Sequence, residues 1–174
     1  MEIRKATKRD VDRVAEIYNA VHDEIEAGRY AMNWHRDLYP TRQWAEERQS
    51  AGDLYVMEDE NGEVAATAVI NHNPLPEYAM GRWFQPESYE KVLVIHSLVV
   101  DPRQVRKGYA TAFMHYYEEA GRATGCTRLR LDTQQIDQPA RTLYRKLGYR
   151  EADYVPCKFK GINDIDLVLI EKIL

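Results

Sequence analysis

The chain has 174 residues, 44% hydrophobic and 30% charged, the length and balance of one globular domain with a proper core. Lys and Arg number 24 against 28 Asp and Glu, and a net charge of −4 argues against a domain whose main partner is nucleic acid. The charged start MEIRKATKRD is unlike a secretory signal, runs such as VLVI are too short to span a bilayer, and Cys126 and Cys157 alone give no disulfide framework and no metal-ligand spacing; a cytoplasmic protein with two free, partly buried thiols is expected.

MEIRKA reads as a first strand. Thr7 is placed to cap, with Asp10 three residues on, and Val11, Val14, Ala15, Tyr18, Val21 and Ile25 follow with helical spacing until Gly28 breaks the run. Pro40-Thr41 opens a second short helix, TRQWAEERQSAG. From Asp53 a strand, an Asn61-Gly62 turn and a second strand read as a hairpin. Residues 73–90, with three prolines and several aromatics, form a long excursion. KVLVIHSLVVD is a nearly continuous apolar run, the signature of a strand buried on both faces. GYATAFMHYYEEAGRATG is a helix with Tyr109, Ala112, Phe113, Tyr116 and Ala120 on one stripe. TRLRLDT is a strand, and DQPARTLYRKLG a helix with Asp137 as cap, Pro139 in its first turn and Gly148 as its stop. YREADYV and NDIDLVLIEKIL supply two more strands. The pattern predicts one α/β domain over residues 1–174, without repeats or low-complexity linkers.

The junction VVDPRQVRKGYATAF is the most unusual stretch: a strand passes through Arg103, Arg106, Lys107 and Gly108 into a helix. Helix-start N–H groups lack intrahelical partners and carry partial positive charge, so a basic, glycine-bearing strand-to-helix loop can cradle an anion. Gly-x4-Gly-Lys-Ser/Thr is absent, and so is Gly-x-Gly-x-x-Gly. Two readings stand on these residues: a pyrophosphate loop of another type, or a solvated basic turn.

Read with its neighbours, the chain resembles the GNAT acyltransferase superfamily. That family's loop reads Gln/Arg-x-x-Gly-x-Gly/Ala after a strand ending in Val-x-Pro; VVDPRQVRKGYA supplies Gly108 and Ala110, with Val105 where the family has Gln or Arg. A second family signature, Asn-x-x-Ala-x-x-Leu-Tyr-x-x-x-Gly-Phe, is answered by DQPARTLYRKLGY, in which Ala140, Leu143, Tyr144 and Gly148 match and Asp137 and Tyr149 are near replacements. The resemblance extends over the order of elements in the whole chain, and at motif level over about residues 93–150.

The resemblance implies a mixed, mostly antiparallel sheet of about six or seven strands flanked by about four helices, the acyl-CoA N-acyltransferase fold. It implies acetyl-CoA as co-substrate and an N-acetyltransferase that lets an amine attack the thioester directly. The amine would belong to a small molecule, an amino acid or a peptide. A non-catalytic coenzyme A-binding module and a protein lysine or N-terminal acetyltransferase are the alternatives. Leu98, Val99 and Val100 would bind the pantetheine arm through their backbone. Val105, Arg106, Lys107, Gly108, Tyr109, Ala110 and Thr111, with Asp137 and Ala140 of the second motif, would serve the cofactor. Tyr144 would donate to the leaving sulfur. Expected partners are an amine acceptor, with no nucleic acid and no membrane, in a monomer or homodimer; no metal is called for.

His96 interrupts the apolar strand two residues before Leu98, where related enzymes often place a glutamate base. An imidazole near pKa ~6.5 accepts a proton at neutral pH. His72 is the second candidate, while His22, His35 and His115 are expected to be solvated. Deprotonating a lysine-like amine at pH 7 costs about 4.6 kcal/mol and an α-amine about 1, so a single histidine suits the α-amine better. Aromatic residues of the early segment (Tyr30, Trp34, Tyr39) and of the excursion (Tyr78, Trp83, Phe84, Tyr89) are candidate acceptor walls, lid packing or a dimer contact.

Overall fold

The computed structural model describes residues 2–159 and 161–174, and of residues 163–164 the backbone alone. Among these residues, seven strands and four α-helices follow one another: β1 (Glu2–Lys5), α1 (Val11–Glu26), α2 (Arg42–Ala51), β2 (Leu54–Glu58), β3 (Val64–Asn71), β4 (Val92–Val100), α3 (Tyr109–Ala123), β5 (Arg128–Gln134), α4 (Gln138–Lys146), β6 (Arg150–Phe159) and β7 (Ile162–Ile173). The hydrogen-bonded strand order is β1-β2-β3-β4-β5-β7-β6. The chain divides into two compact units, one running to Ile70 and resuming over His96–Tyr116, the other comprising Asn71–Ile95 and Tyr117–Leu174.

In the first unit, β1 and β3 flank β2 antiparallel, with Ile3 opposite Met57 and Tyr55 opposite Ala68. The apolar stripe of α1 buries Val14, Ile17 and Tyr18 against Leu54, Val56, Val69 and Val99. Asp10 Oδ2 accepts from Thr7 N at 2.6 Å and Thr7 Oγ1 at 2.8 Å, and Arg4 donates to both Asp10 oxygens at 2.8 and 2.9 Å. A 3-10 turn over Lys8–Asp10 intervenes, so the helix begins later than the cap suggested. Thr41 Oγ1 caps α2 by accepting from Trp44 N at 3.1 Å. The β2–β3 turn is wider than a two-residue Asn-Gly turn: Asp59 Oδ1 accepts from Asn61 N at 2.8 Å and Glu63 N at 3.0 Å, with Gly62 at φ 80°. His22 departs from its expected solvated state: it is 1% exposed and its Nε2 donates to the Pro40 carbonyl at 3.0 Å, because it lies on the packed side of α1.

In the second unit, the start of β4 runs parallel to β5 (Leu93 opposite Leu129), while β5–β7 and β6–β7 are antiparallel. Tyr117 of α3 donates its hydroxyl to the carbonyls of Leu93 and Arg130 at 2.6 and 3.0 Å, tying helix to sheet. The excursion before β4 is docked. Tyr78 is buried with Val92, Val94, Val155, Leu167 and Leu169. Gly81 leaves no room for a side chain, since a Cβ there would stand 2.1 Å from Leu169 Cδ1. Arg130 of β5 pairs with Glu171 of β7 at 2.9 Å, both buried. Its guanidinium lies 4.2 Å from the Trp83 ring centroid and 5.5 Å from that of Tyr89, and donates to Gln85 O at 3.2 Å.

Candidate active site

Strand β4 is regular through buried Val92–Ile95 and then changes character. Ser97 sits at φ 50°, in the left-handed region that costs a non-glycine residue roughly 1 kcal/mol or more. His96, Ser97 and Leu98 are half-buried, and Val99 returns to the core at 4% exposure. The alternation that would put His96 and Leu98 on one face is broken there. The Tyr39 hydroxyl and Ser97 Oγ are hydrogen-bonded, and Tyr39 also packs edge-on against Trp34 and Trp44, with centroids 5.5 and 5.4 Å apart. Sequence reasoning missed the Ser97–Tyr39 pair; its one signal was a serine inside an apolar run.

The strand leads through Asp101 and a 3-10 turn (Pro102–Gln104) to the basic loop. Val105, Arg106, Lys107 and Gly108 are exposed, while Tyr109 is buried and Ala110 and Thr111 half-buried at the start of α3. Arg106 (φ 66°) and Gly108 (φ 80°) both take left-handed conformations, and nothing stands within 4 Å of where a Gly108 Cβ would lie. The first helical bond of α3 runs from Ala112 N to Gly108 O at 3.0 Å. Arg103 is not a free cation of this loop: Asp101 holds it through Nε and Nη2, both at 2.9 Å. Arg106 and Lys107 remain, the latter 3.5 Å from Gln104 Oε1 and 6.0 Å from the Tyr109 ring centroid.

In the second unit, Asp137 caps α4 as the sequence placed it. Its Oδ1 accepts from Ala140 N at 3.1 Å and its Oδ2 from Thr133 Oγ1 at 3.1 Å, and burial raises its pKa. Both oxygens are thus engaged within the protein. Tyr144, 8% exposed, packs edge-on against Tyr149 at 6.2 Å. Burial, and then the nearby Asp137 and Asp132 charges, push its hydroxyl above the ordinary tyrosine range. With Arg141, Arg145, Tyr149, Arg150, Glu151 and Ile170 it lines a pocket of about 280 Å³.

A family profile described as "Acetyltransferase (GNAT) family" matches residues 14–149. The chain belongs to the GNAT acetyltransferase family. It is therefore an acyltransferase. No curated protein matches its sequence. Among solved structures, a GNAT-family acetyltransferase from Streptococcus agalactiae is similar with a TM-score of 0.83 at 21% identity, covering 99% of this chain and 95% of that one. A ribosomal-protein-alanine N-acetyltransferase from Brucella melitensis is similar at TM-score 0.70 and 21% identity, with 100% of both chains covered. A phosphinothricin acetyltransferase from Sinorhizobium meliloti, solved with acetyl-CoA, is similar at TM-score 0.72 and 17% identity, covering 99% and 88%. These likenesses bear out the expected GNAT fold, a mixed sheet of about six or seven strands flanked by about four helices.

The remaining predicted GNAT site residues sort unevenly. His72 is exposed, yet its Nδ1 is fixed by the carbonyls of Val92 at 2.7 Å and Tyr89 at 3.1 Å. Tyr30 and Trp34 are half-buried against the first unit's core. Trp83 donates Nε1–H to Tyr78 O at 3.0 Å, and its ring centroid lies 4.2 Å from the Arg130 guanidinium. Among the described residues no group of three His, Cys, Asp or Glu could hold a metal, and no helix is long and apolar enough to cross a membrane.

Proposed function

We propose that residues 1–174 act as one acetyl-CoA-dependent N-acetyltransferase, with a weakly basic amine such as an α-amine as acceptor. The observation that carries the reading is the loop of Arg106, Lys107 and Gly108. It offers two exposed cations, two left-handed backbone positions and open space over Gly108, at the start of a 15-residue helix. Such a loop can hold a pyrophosphate, and Val105, Tyr109, Ala110 and Thr111 would contribute backbone around it. The backbone of Leu98, Val99 and Val100, past the interruption at Ser97, would bind the pantetheine arm. Asp137 and Ala140 would serve the cofactor indirectly, by fixing the start of α4.

In the reaction the amine lone pair forms the C–N bond to the acetyl carbonyl carbon, and the C–S bond breaks with its electron pair on sulfur. The amine's proton passes to His96, directly or through water, with His72 as the second candidate. Tyr144 donates a hydrogen bond to the sulfur as its charge develops. Full proton transfer from Tyr144 is disfavoured. A tyrosine and a thiol at their ordinary pKa values differ by roughly 2 kcal/mol, and burial widens that gap here.

Calorimetry of acetyl-CoA with the wild type and an Arg106→Glu, Lys107→Glu variant tests the reading, followed by thiol release over an amine panel. Micromolar binding lost in the variant supports it. A wild type that binds no acetyl-CoA overturns it.

A further inference from the structure

Asp101, between β4 and the basic loop, is 1% exposed and has four donors on its carboxylate. Oδ1 accepts from Arg103 N at 3.0 Å and Arg103 Nε at 2.9 Å; Oδ2 accepts from Arg103 Nη2 at 2.9 Å and Arg13 Nη2 at 2.5 Å. Its backbone is held as well, with N–H donated to Ala65 O and C=O accepting from Gln104 N, both at 2.8 Å. Arg13, on α1, also donates Nε–H to Val64 O at 3.2 Å. One buried carboxylate therefore ties the first turn of the loop to α1 and to β3. Beyond Gln104 the loop has no comparable anchor until α3 begins: Val105, Arg106, Lys107 and Gly108 are exposed.

A buried carboxylate this close to a phosphate loop would repel the ligand if left uncompensated. Two guanidiniums neutralise it, and the same contacts set the direction in which the chain leaves toward Val105. Resting on the acetyl-CoA reading above, we propose that Asp101 is a positioning residue for the coenzyme's pyrophosphate. It aims the 105–108 backbone, and it withdraws Arg103 so that Arg106 and Lys107 are the cations offered to the ligand. Its effect is confined to donors that carry the diphosphate.

The test compares acetyl-CoA with acetyl-pantetheine, which keeps the thioester and lacks the diphosphate, in the wild type and in Asp101→Asn. The expected result is a KM for acetyl-CoA raised about 10-fold, with kcat and the use of acetyl-pantetheine within twofold of wild type. Equal damage with both donors would make Asp101 a general structural residue and overturn the proposal, as would no change with either. A wild type that neither binds acetyl-CoA nor uses either donor removes the transferase reading and this proposal with it. Should Asp101→Asn fail to fold, Arg103→Met takes its place, since that side chain is 62% exposed and only one side of the clamp is lost. The same donor-selective rise in KM is expected, and a rise shared by both donors overturns the proposal.

Discussion

The Nδ1 of His72 lies 2.7 Å from the carbonyl oxygen of Val92, so that nitrogen carries the proton and the neutral ring's lone pair is on Nε2. That contact fixes the tautomer of a neutral His72, whereas His96 is half-buried in β4 beside the kink at Ser97.

The two histidines separate by pH. If His96 takes the amine's proton, His96→Ala loses activity most at pH 6.5–7.5, where free amine is scarcest, and recovers toward pH 9. His72→Ala should then leave the shape of the profile unchanged. Steady-state rates across that range with one α-amine decide between them, and an unchanged His96→Ala profile moves the role to His72 or water.

Tyr144→Phe keeps the ring that packs on Tyr149 and removes only the hydroxyl. Turnover is expected to fall about 10- to 100-fold, with acetyl-CoA affinity within about twofold, because a donor that strengthens with developing charge contributes to the transition state and little to the ground state. Thiol release and calorimetry on one preparation measure both. Equal turnover would leave Tyr144 as a packed ring.

Asp10 gives the first unit an acid-dependent component. Arg4's hydrogen bonds, reinforced by Thr7 and opposed by burial, hold its pKa at about 2. The folded value lies below the unfolded one, so the stabilisation is complete above about pH 4 and disappears as pH falls toward 2. The difference corresponds to about 2 kcal/mol. Asp10→Asn should be less stable at neutral pH and lose less on acidification, read from denaturant midpoints between pH 7 and 2.

The Arg130–Glu171 pair holds the second unit under a different rule. Removing one partner strands a buried charge, and among the described residues Glu171 Oε2 already has no hydrogen-bond partner. Arg130→Met is expected to destabilise by about 3–5 kcal/mol, and the Arg130→Met, Glu171→Leu double variant to regain much of that loss. Urea unfolding of the two single variants and the double gives the coupling directly; strict additivity would mean the pair is not acting as a unit.

What could be read from the chain was what local pattern encodes. The stripe of α1, the Thr41 and Asp137 caps and the Gly148 stop depend on residues a few positions apart, and so did the loop and Tyr144 motifs. What stayed hidden depends on distant partners. Arg103 looks free in sequence, yet the Asp101 that claims it is organised together with Arg13, 88 residues from Asp101. The stacking of Trp83 on Arg130 stayed hidden because nothing local reveals that contact. His22 looked solvated because its acceptor, the Pro40 carbonyl, is a backbone atom 18 residues away. The left-handed turn at Ser97 was marked only by a serine inside an apolar run, which does not by itself distinguish a kink from a regular strand.

The docking of Gly81 on Leu169, with Trp83 roofing Arg130, bears on how the second unit moves. Peeling residues 76–89 from the sheet would uncover a charged pair and empty the space that Tyr78 fills. Opening of that segment is therefore bound to the melting of β7 itself, and its amide hydrogens should exchange on the same schedule as those of the strand beneath. The segment therefore behaves as a fixed part of the second unit, moving only when the strand beneath it melts.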